Sequence, residues 1–193
     1  GLGADWSDRD DRGSPRPLKD NPRQRLTTRL ESAIVIHMST YRISNKIPVI
    51  VIPCGGAKAS EACAARDLYI GSAFQEQLAG AIAEVGENNV YILSALHGLI
   101  GINDVIAPYD VKMVDKNSIA KTADGFQRLV LGIIWYGLED DALDVFAMLP
   151  NAYFSIFDKA MRYCDAVPPA QTYEATAGIG EHKAIAKKMR LAA

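Results

Sequence analysis

Cysteine and histidine are scarce in these 193 residues, with three of each. Cys54, Cys63 and Cys164 form no CxxC pair, and no histidine stands at ligand spacing from them. That argues against a disulfide framework and against a structural zinc site, and no metal or cofactor is expected. Basic charge is not in excess either: 21 Lys and Arg stand against 23 Asp and Glu, a formal net charge of -2. A general polyanion binder carries a basic surplus, so that class is disfavoured. The chain has no apolar run near the ~20 residues that a membrane-spanning helix needs. It opens on no basic, apolar and small-residue secretory pattern, so a cytoplasmic protein is expected. No internal repeat is visible, which removes solenoid and propeller architectures.

What is present is apolar material in regular order. Apolar residues make up 49% of the chain, enough for a sizeable core, and its length suits one domain. Residues 1–37 differ from the rest: the stretch GLGADWSDRDDRGSPRPLKDNPRQRLTTR mixes Asp and Arg with Pro and Gly and has neither helical nor strand periodicity. Such a segment buries too little apolar surface to offset its ordering entropy. It is expected to be a disordered leader, tag or upstream extension, with Met38 as a natural start and residues 38–193 as a single α/β domain.

Within that domain IPVIVIP, from Ile47, is a β-branched run bounded by Pro and Gly, the mark of a strand buried on both faces. Phe74, Leu78, Ile82 and Val85 then repeat at helical spacing, and Gly86 is the stop. A second strand is expected in NVYILSAL, from Asn89, and a third in DVFAML, from Asp144. Between them a long helix is expected from about Ser118, with Ile119, Ala123, Phe126, Val130 and Ile134 on one face. Tyr153 to Arg162 reads as another helix, and Ile179-Gly180 opens a last one. Ile185 and Met189 lie on one side of it, with Lys183, Lys187 and Arg190 on another. Strands alternating with helices predict a three-layer α/β domain, its mostly parallel sheet flanked by helices.

In such sheets ligands collect at the carboxyl ends of the strands. The first strand leads into Cys54-Gly55-Gly56-Ala57-Lys58, the second into Ser94-Ala95-Leu96-His97-Gly98 and then Tyr109-Asp110, the third into Asn151-Ala152-Tyr153. Parallel pairing brings Lys58, His97, Asp110 and Tyr153 toward one cleft. GGAKAS lacks the glycine spacing and GK[ST] ending of a P-loop, so triphosphate binding of that kind is rejected. SALHGL does not fit the GxSxG elbow, which leaves Ser94 a weak nucleophile.

Each residue also has a plainer reading. Gly55 and Gly56 serve either to turn the chain or to present amides. Lys58 is a solvated loop lysine or, with its pKa lowered by apolar surroundings, a nucleophile or base. Cys54 is a small buried hydrophobe or a thiol with redox chemistry, which requires a low pKa. His97 is a hydrogen-bonding histidine or a proton carrier. Arg66 and Asp67 form an internal ion pair, or Arg66 holds an anionic ligand while Tyr69 lies beneath a planar one. Lys183, Lys187 and Arg190 are a solvated helix face or a track for phosphates.

The succession PCGGAK, ARDLYIGSAF, YILSALHGLIGINDVIAPYD and GIGEHKAIAKKM resembles an uncharacterised domain family common in bacteria and their phages, over essentially all of Pro48 to the C-terminus. More remotely, Pro53, Cys54 and Lys58 resemble the first-loop element of the YaaA peroxide-stress proteins. They are also similar to the Pro-Cys-x-x-x-Lys element in the core domain of archaeosine synthase, which modifies a deazaguanine base in transfer RNA. The archaeal motif continues with Pro-Tyr, where this chain has Ala59-Ser60, and no RNA-binding domain is appended. The resemblance implies a shared α/β core, a nucleobase-sized site and a bacterial or phage setting.

The expected function is therefore that of an enzyme acting on a nucleobase, free as a nucleotide or within a nucleic acid, by N-glycosidic cleavage or base modification. Lys58, His97 and Asp110 are its expected catalytic residues. Cys54, Gly55, Gly56, Arg66, Tyr69, Ser94, Tyr109 and Tyr153 are its substrate-binding set. The alternative is a non-catalytic DNA-associated stress or phage host-takeover protein, with salt-sensitive affinity governed by Lys183, Lys187 and Arg190.

Overall fold

The computed structural model describes residues 45–171 and 179–192. The expected leader, residues 1–37, and the start at Met38 lie outside the described residues. The first strand, β1 (Ile47–Pro53), is buried along its last five residues. It is flanked on both sides: β3 (Val90–Ser94) pairs parallel to it on one side and β6 (Leu143–Ala147) parallel on the other. That central position is the reason for its continuous β-branched composition, since neither face meets water.

The five-stranded sheet has the order β4-β3-β1-β6-β7, with β4 (Gly98–Gly101) antiparallel at one edge and β7 (Ala170–Gln171) parallel at the other. The edge strand β4 is the one antiparallel member of the mostly parallel sheet among the described residues. Ser94 and Gly98 pair across a three-residue loop, and Gly98 has φ +83°, a conformation that suits glycine. A Cβ there would also stand 3.0 Å from the Leu129 backbone, so the helix that carries Leu129 packs closely on this strand because residue 98 lacks a side chain. A second, two-stranded antiparallel ribbon joins β2 (Cys63–Ala64) to β5 (Val105–Ile106).

Helices cover both faces. The short α1 (Ala65–Leu68) follows β2, and α2 (Ser72–Val85) connects β1 to β3, ending at Gly86 with φ +82°. Strand residues alternate between faces. Ile50, Ile52 and Ile92 face α2 and α5 (Ile179–Ala192), in a core with Phe74, Leu78, Ile185 and Met189. Val51 and Leu93 face α3 (Ala123–Trp135) and α4 (Asn151–Tyr163), in a core with Leu129, Ile133, Phe157 and Met161. Each fully buried aliphatic contributes about 1.5–3 kcal/mol by leaving water. The result is the expected α/β architecture with a sheet between helical layers.

The helix expected from Ser118 begins later, at Ala123. The Ser118 hydroxyl donates to the Met113 carbonyl at 2.8 Å and the Ile119 amide bonds the Ala95 carbonyl at 2.9 Å, which holds this stretch in turns. The Thr122 side chain then caps the helix by accepting from the Gly125 amide at 3.0 Å. The buried face is Gly125, Leu129, Val130 and Ile133, while Ile134 is 51% exposed. Among the described residues no helix is long and apolar enough to cross a membrane.

Candidate functional site

The strand order reverses at β1: the chain moves from β1 to β3 on one side and later to β6 on the other. At such a switch point the connecting loops part and leave a crevice beyond the carboxyl ends of the strands. The loop after β1 starts there. The Cys54 amide still bonds the Leu93 carbonyl at 3.1 Å. The chain then folds back so that Ala59 N donates to Leu68 O at 2.8 Å and Ile70 N to Ala57 O at 3.1 Å. Lys58 and Tyr69 become bridge partners across this small ribbon. Gly55 permits the approach, because a Cβ on it would stand 3.1 Å from the Tyr69 Cβ and 3.3 Å from the Phe74 Cβ. Gly56 is exposed, with open space where a side chain would be.

Two short runs of hydrogen bonds gather at the strand ends, one through Ser94, Tyr109 and Tyr69 and one between Tyr153 and Cys54. Ser94, fully buried, ends β3; its Oγ accepts from the Leu96 amide at 3.2 Å and the His97 amide at 3.0 Å. With both acceptor positions used, its own proton is directed to the Tyr109 Oη, 2.7 Å away. Tyr109 Oη lies 2.9 Å from Tyr69 Oη, a gap that one hydrogen fills. One phenolic O–H of this pair therefore remains for a further acceptor. From the third strand end, the Tyr153 hydroxyl meets the Cys54 Sγ at 3.3 Å. Lys58 Nζ sits over the Tyr109 ring, 4.3 Å from its centroid and 5.7 Å from that of Tyr69, and donates to the Gly56 carbonyl at 3.3 Å. A cation on an aromatic face is held by the ring quadrupole.

Burial keeps these phenols neutral. It pushes the Tyr69, Tyr109 and Tyr153 hydroxyls far above the ordinary phenol value, and the adjacent Cys54 sulfur adds to the shift in all three. They act as hydrogen-bond donors rather than bases. His97 stacks edge-on to Tyr109, with ring centroids 5.1 Å apart. Burial and then the Arg128 charge lower its pKa below the usual histidine range, so it is neutral at pH 7. Its Nε2 is buried with no hydrogen-bond partner among the described residues.

The structure thus gathers Cys54, Gly55, Lys58, Tyr69, Ser94, His97, Tyr109 and Tyr153, and leaves the other candidates aside. Asp110 follows Tyr109 but is exposed and takes no hydrogen bond from the cluster. Arg66 is engaged elsewhere, in a close ion pair with Glu87 and a 3.2 Å bond to Asn103, rather than with Asp67. Tyr69 is fully buried, so its ring is not free to lie beneath a planar ligand. On α5, Lys183 donates to Ser72 Oγ at 3.1 Å and Arg190 pairs with Glu76 at 3.2 Å, while Lys187 of that expected basic face is exposed and has no such partner among the described residues. Among the described residues no three His, Cys, Asp or Glu side chains gather as a metal site. Arg128 carries no signal in the sequence: it is one more charged residue on the outer side of α3, and only the hairpin brings it to the Leu96 carbonyl at 3.2 Å.

No curated protein and no solved structure matches the chain. Residues 49–182 match the model of a family of unknown function, DUF6884, and the chain belongs to that family.

Proposed function

We propose that this member of the DUF6884 family is an enzyme that acts on a nucleobase, as a free nucleotide or within a nucleic acid, by cleaving the N-glycosidic bond or modifying the base. The observation that carries the proposal is the spare phenolic donor of the Tyr69–Tyr109 pair, which only the half-buried Tyr109 can offer to a ligand, set beside the Lys58 ammonium at the carboxyl edge of β1 and β3. A planar ring rich in carbonyl and ring-nitrogen acceptors suits one neutral donor and one cation in a partly dry crevice. The Gly55 and Gly56 amides, which make no backbone hydrogen bond among the described residues, add donors at the same edge. The remote likeness of Pro53, Cys54 and Lys58 to the archaeosine synthase element implies a nucleobase-sized site and does not carry the substrate across.

For glycosidic cleavage the bond between the sugar carbon and the base nitrogen breaks with its electron pair moving onto the base. Lys58 and the phenolic donor stabilise that developing negative charge. Water adds to the sugar carbon, and Asp110, exposed at the rim, accepts its proton. Neutral His97 orients the base or carries a proton away. A single positioned acid or base is worth about a hundred- to ten-thousand-fold in rate.

Mass spectrometry of the purified protein with modified and unmodified DNA, RNA and nucleotides tests this, alongside Lys58→Ala, Tyr109→Phe and Asp110→Asn. Released base, an abasic site or a mass-shifted nucleoside, lost by at least a hundredfold in Lys58→Ala, is expected. The proposal fails if no substrate in the panel is turned over, or if turnover is indifferent to all three changes.

A further inference from the structure

A groove of about 280 Å³ lies along α4, lined by Met113, Val114, Ala120, Lys121, Ala152, Ser155, Ile156 and Lys159. Ala152, Ser155, Ile156 and Lys159 fall at helical spacing on one face of α4, and the turns of residues 113–121 form the opposite wall. Both walls begin in the sequence next to residues of the candidate site, at the carboxyl side of the sheet. Ala152 immediately precedes Tyr153, whose hydroxyl meets Cys54, and the turns begin just after Tyr109 and Asp110.

The charges along this groove are of one sign and unneutralised. Lys121 and Lys159 are exposed and have no carboxylate partner among the described residues. Three arginines do have one: Arg66 with Glu87, Arg162 with Asp158, Arg190 with Glu76. Of the carboxylates near in sequence, Asp158 holds Arg162 and Asp115 accepts from the Lys112 amide at 2.7 Å, while Asp124, three residues after Lys121, is exposed and does not line the groove. Lys159 is also steadied, its Nζ 5.1 Å from the centroid of Phe126 on α3. In a chain with a net charge of -2, two free ammonium groups and a serine hydroxyl on apolar walls form a local trap for an anion.

We infer that this groove, bounded by Lys121, Ser155 and Lys159, is a phosphate subsite that takes the 5′-phosphate and adjoining sugar of a mononucleotide whose base lies at the tyrosine cluster. The inference rests on the nucleobase reading of that cluster and deepens it. The volume is just below the ~300–1,000 Å³ of sites that enclose a whole ligand, and suits a phosphate and part of a sugar. A strand of nucleic acid calls instead for a longer run of cations along its backbone.

Calorimetric titration of the full chain with the four common ribonucleosides, their 5′-monophosphates, inorganic phosphate and a short single-stranded oligonucleotide tests it. The same titrations are run on Lys121→Ala, Lys159→Ala and, as a control on α5, Lys187→Ala. At least one monophosphate is expected to bind about tenfold or more tightly than its nucleoside, the scale of one charge-assisted contact. That gain disappears in both groove variants and persists in Lys187→Ala. Equal affinity for nucleoside and monophosphate overturns the subsite and leaves the nucleobase reading intact. Inorganic phosphate bound through both groove lysines, with no nucleoside or nucleotide bound better, supports the subsite's anion chemistry and counts against the nucleobase reading. Tight oligonucleotide binding without mononucleotide binding overturns the assignment to a mononucleotide. So does the absence of binding by every probe.

Discussion

Replacing Ser94 by alanine tests the hydroxyl chain on which the candidate site is built. Ser94 is fully buried, and its Oγ makes contacts to Leu96 N, His97 N and Tyr109 Oη at 3.2, 3.0 and 2.7 Å. A net value of about 1 kcal/mol for each puts the cost near 3 kcal/mol. For a chain of this size that lowers Tm by about 6–12 °C. Tyr109→Phe keeps the ring beneath Lys58 and removes the hydroxyl contacts to Ser94 and Tyr69, at a cost of about 2 kcal/mol. The two changes share one bond, so the double variant is expected to cost about 1 kcal/mol less than the two single losses together. Urea unfolding of the four proteins, followed by circular dichroism, supplies the cycle. Strict additivity, or a Ser94→Ala cost below about 0.5 kcal/mol, refutes the bonded chain and with it the spare phenolic donor.

The remaining expectations concern pH and helix packing. The Tyr136 phenol, which donates to Asp104, is pushed up to about 12, first by burial and then by that bond. Its contribution is complete below the free-phenol value near 10 and is lost as pH rises through 12, so the urea midpoint falls above pH 10, and less steeply in Tyr136→Phe. His97 shifts the other way: its contribution is complete above about 6.5 and is lost as pH falls through its lowered value. Stability therefore drops as pH falls below about 6.5, and His97→Gln flattens that slope; a slope unchanged in the variant rejects the assignment. In Gly80→Ala the new Cβ would meet the Ala186 carbonyl oxygen at 2.5 Å, so α2 and α5 must separate. The clash, about 1–3 kcal/mol, outweighs the gain of up to ~1 kcal/mol in helix propensity. Hydrogen exchange is expected to speed up in α5, and a stabilised variant contradicts the packing.

The layered fold was legible because burial imposes short-range order on the chain. A run such as IPVIVIP, apolar at every position and buried over its last five, suits a strand covered on both faces, and so announced one. Gly86 marked the end of α2 because its positive φ is a backbone property that glycine alone adopts freely. The false start at Ser118 shows the limit of periodicity. Ile119 repeats at helical spacing with the residues after it, but its amide is claimed by the Ala95 carbonyl, 24 positions earlier in the chain, and no local pattern records that bond.

The same division runs through the site. Residue type and strand-end position, both local, marked Cys54, Lys58, Ser94, His97, Tyr109 and Tyr153 for one crevice, as parallel pairing required. Which of them touch was decided by tertiary structure. The reversal of strand order at β1 brings Tyr153 to Cys54 across 99 residues, and the fold-back of Lys58 onto Tyr69 brings its ammonium to Tyr109. Tertiary structure likewise left Asp110 at the rim, gave Arg66 to Glu87, and opened a groove between Lys121 and Lys159. Hydrophobic pattern acts over a turn of helix or a pair of strand residues, so the sequence by itself determined the layers. Hydrogen bonds and charge pairs join groups that only the closed sheet brings within about 3–4 Å, so the tertiary structure decided the chemistry.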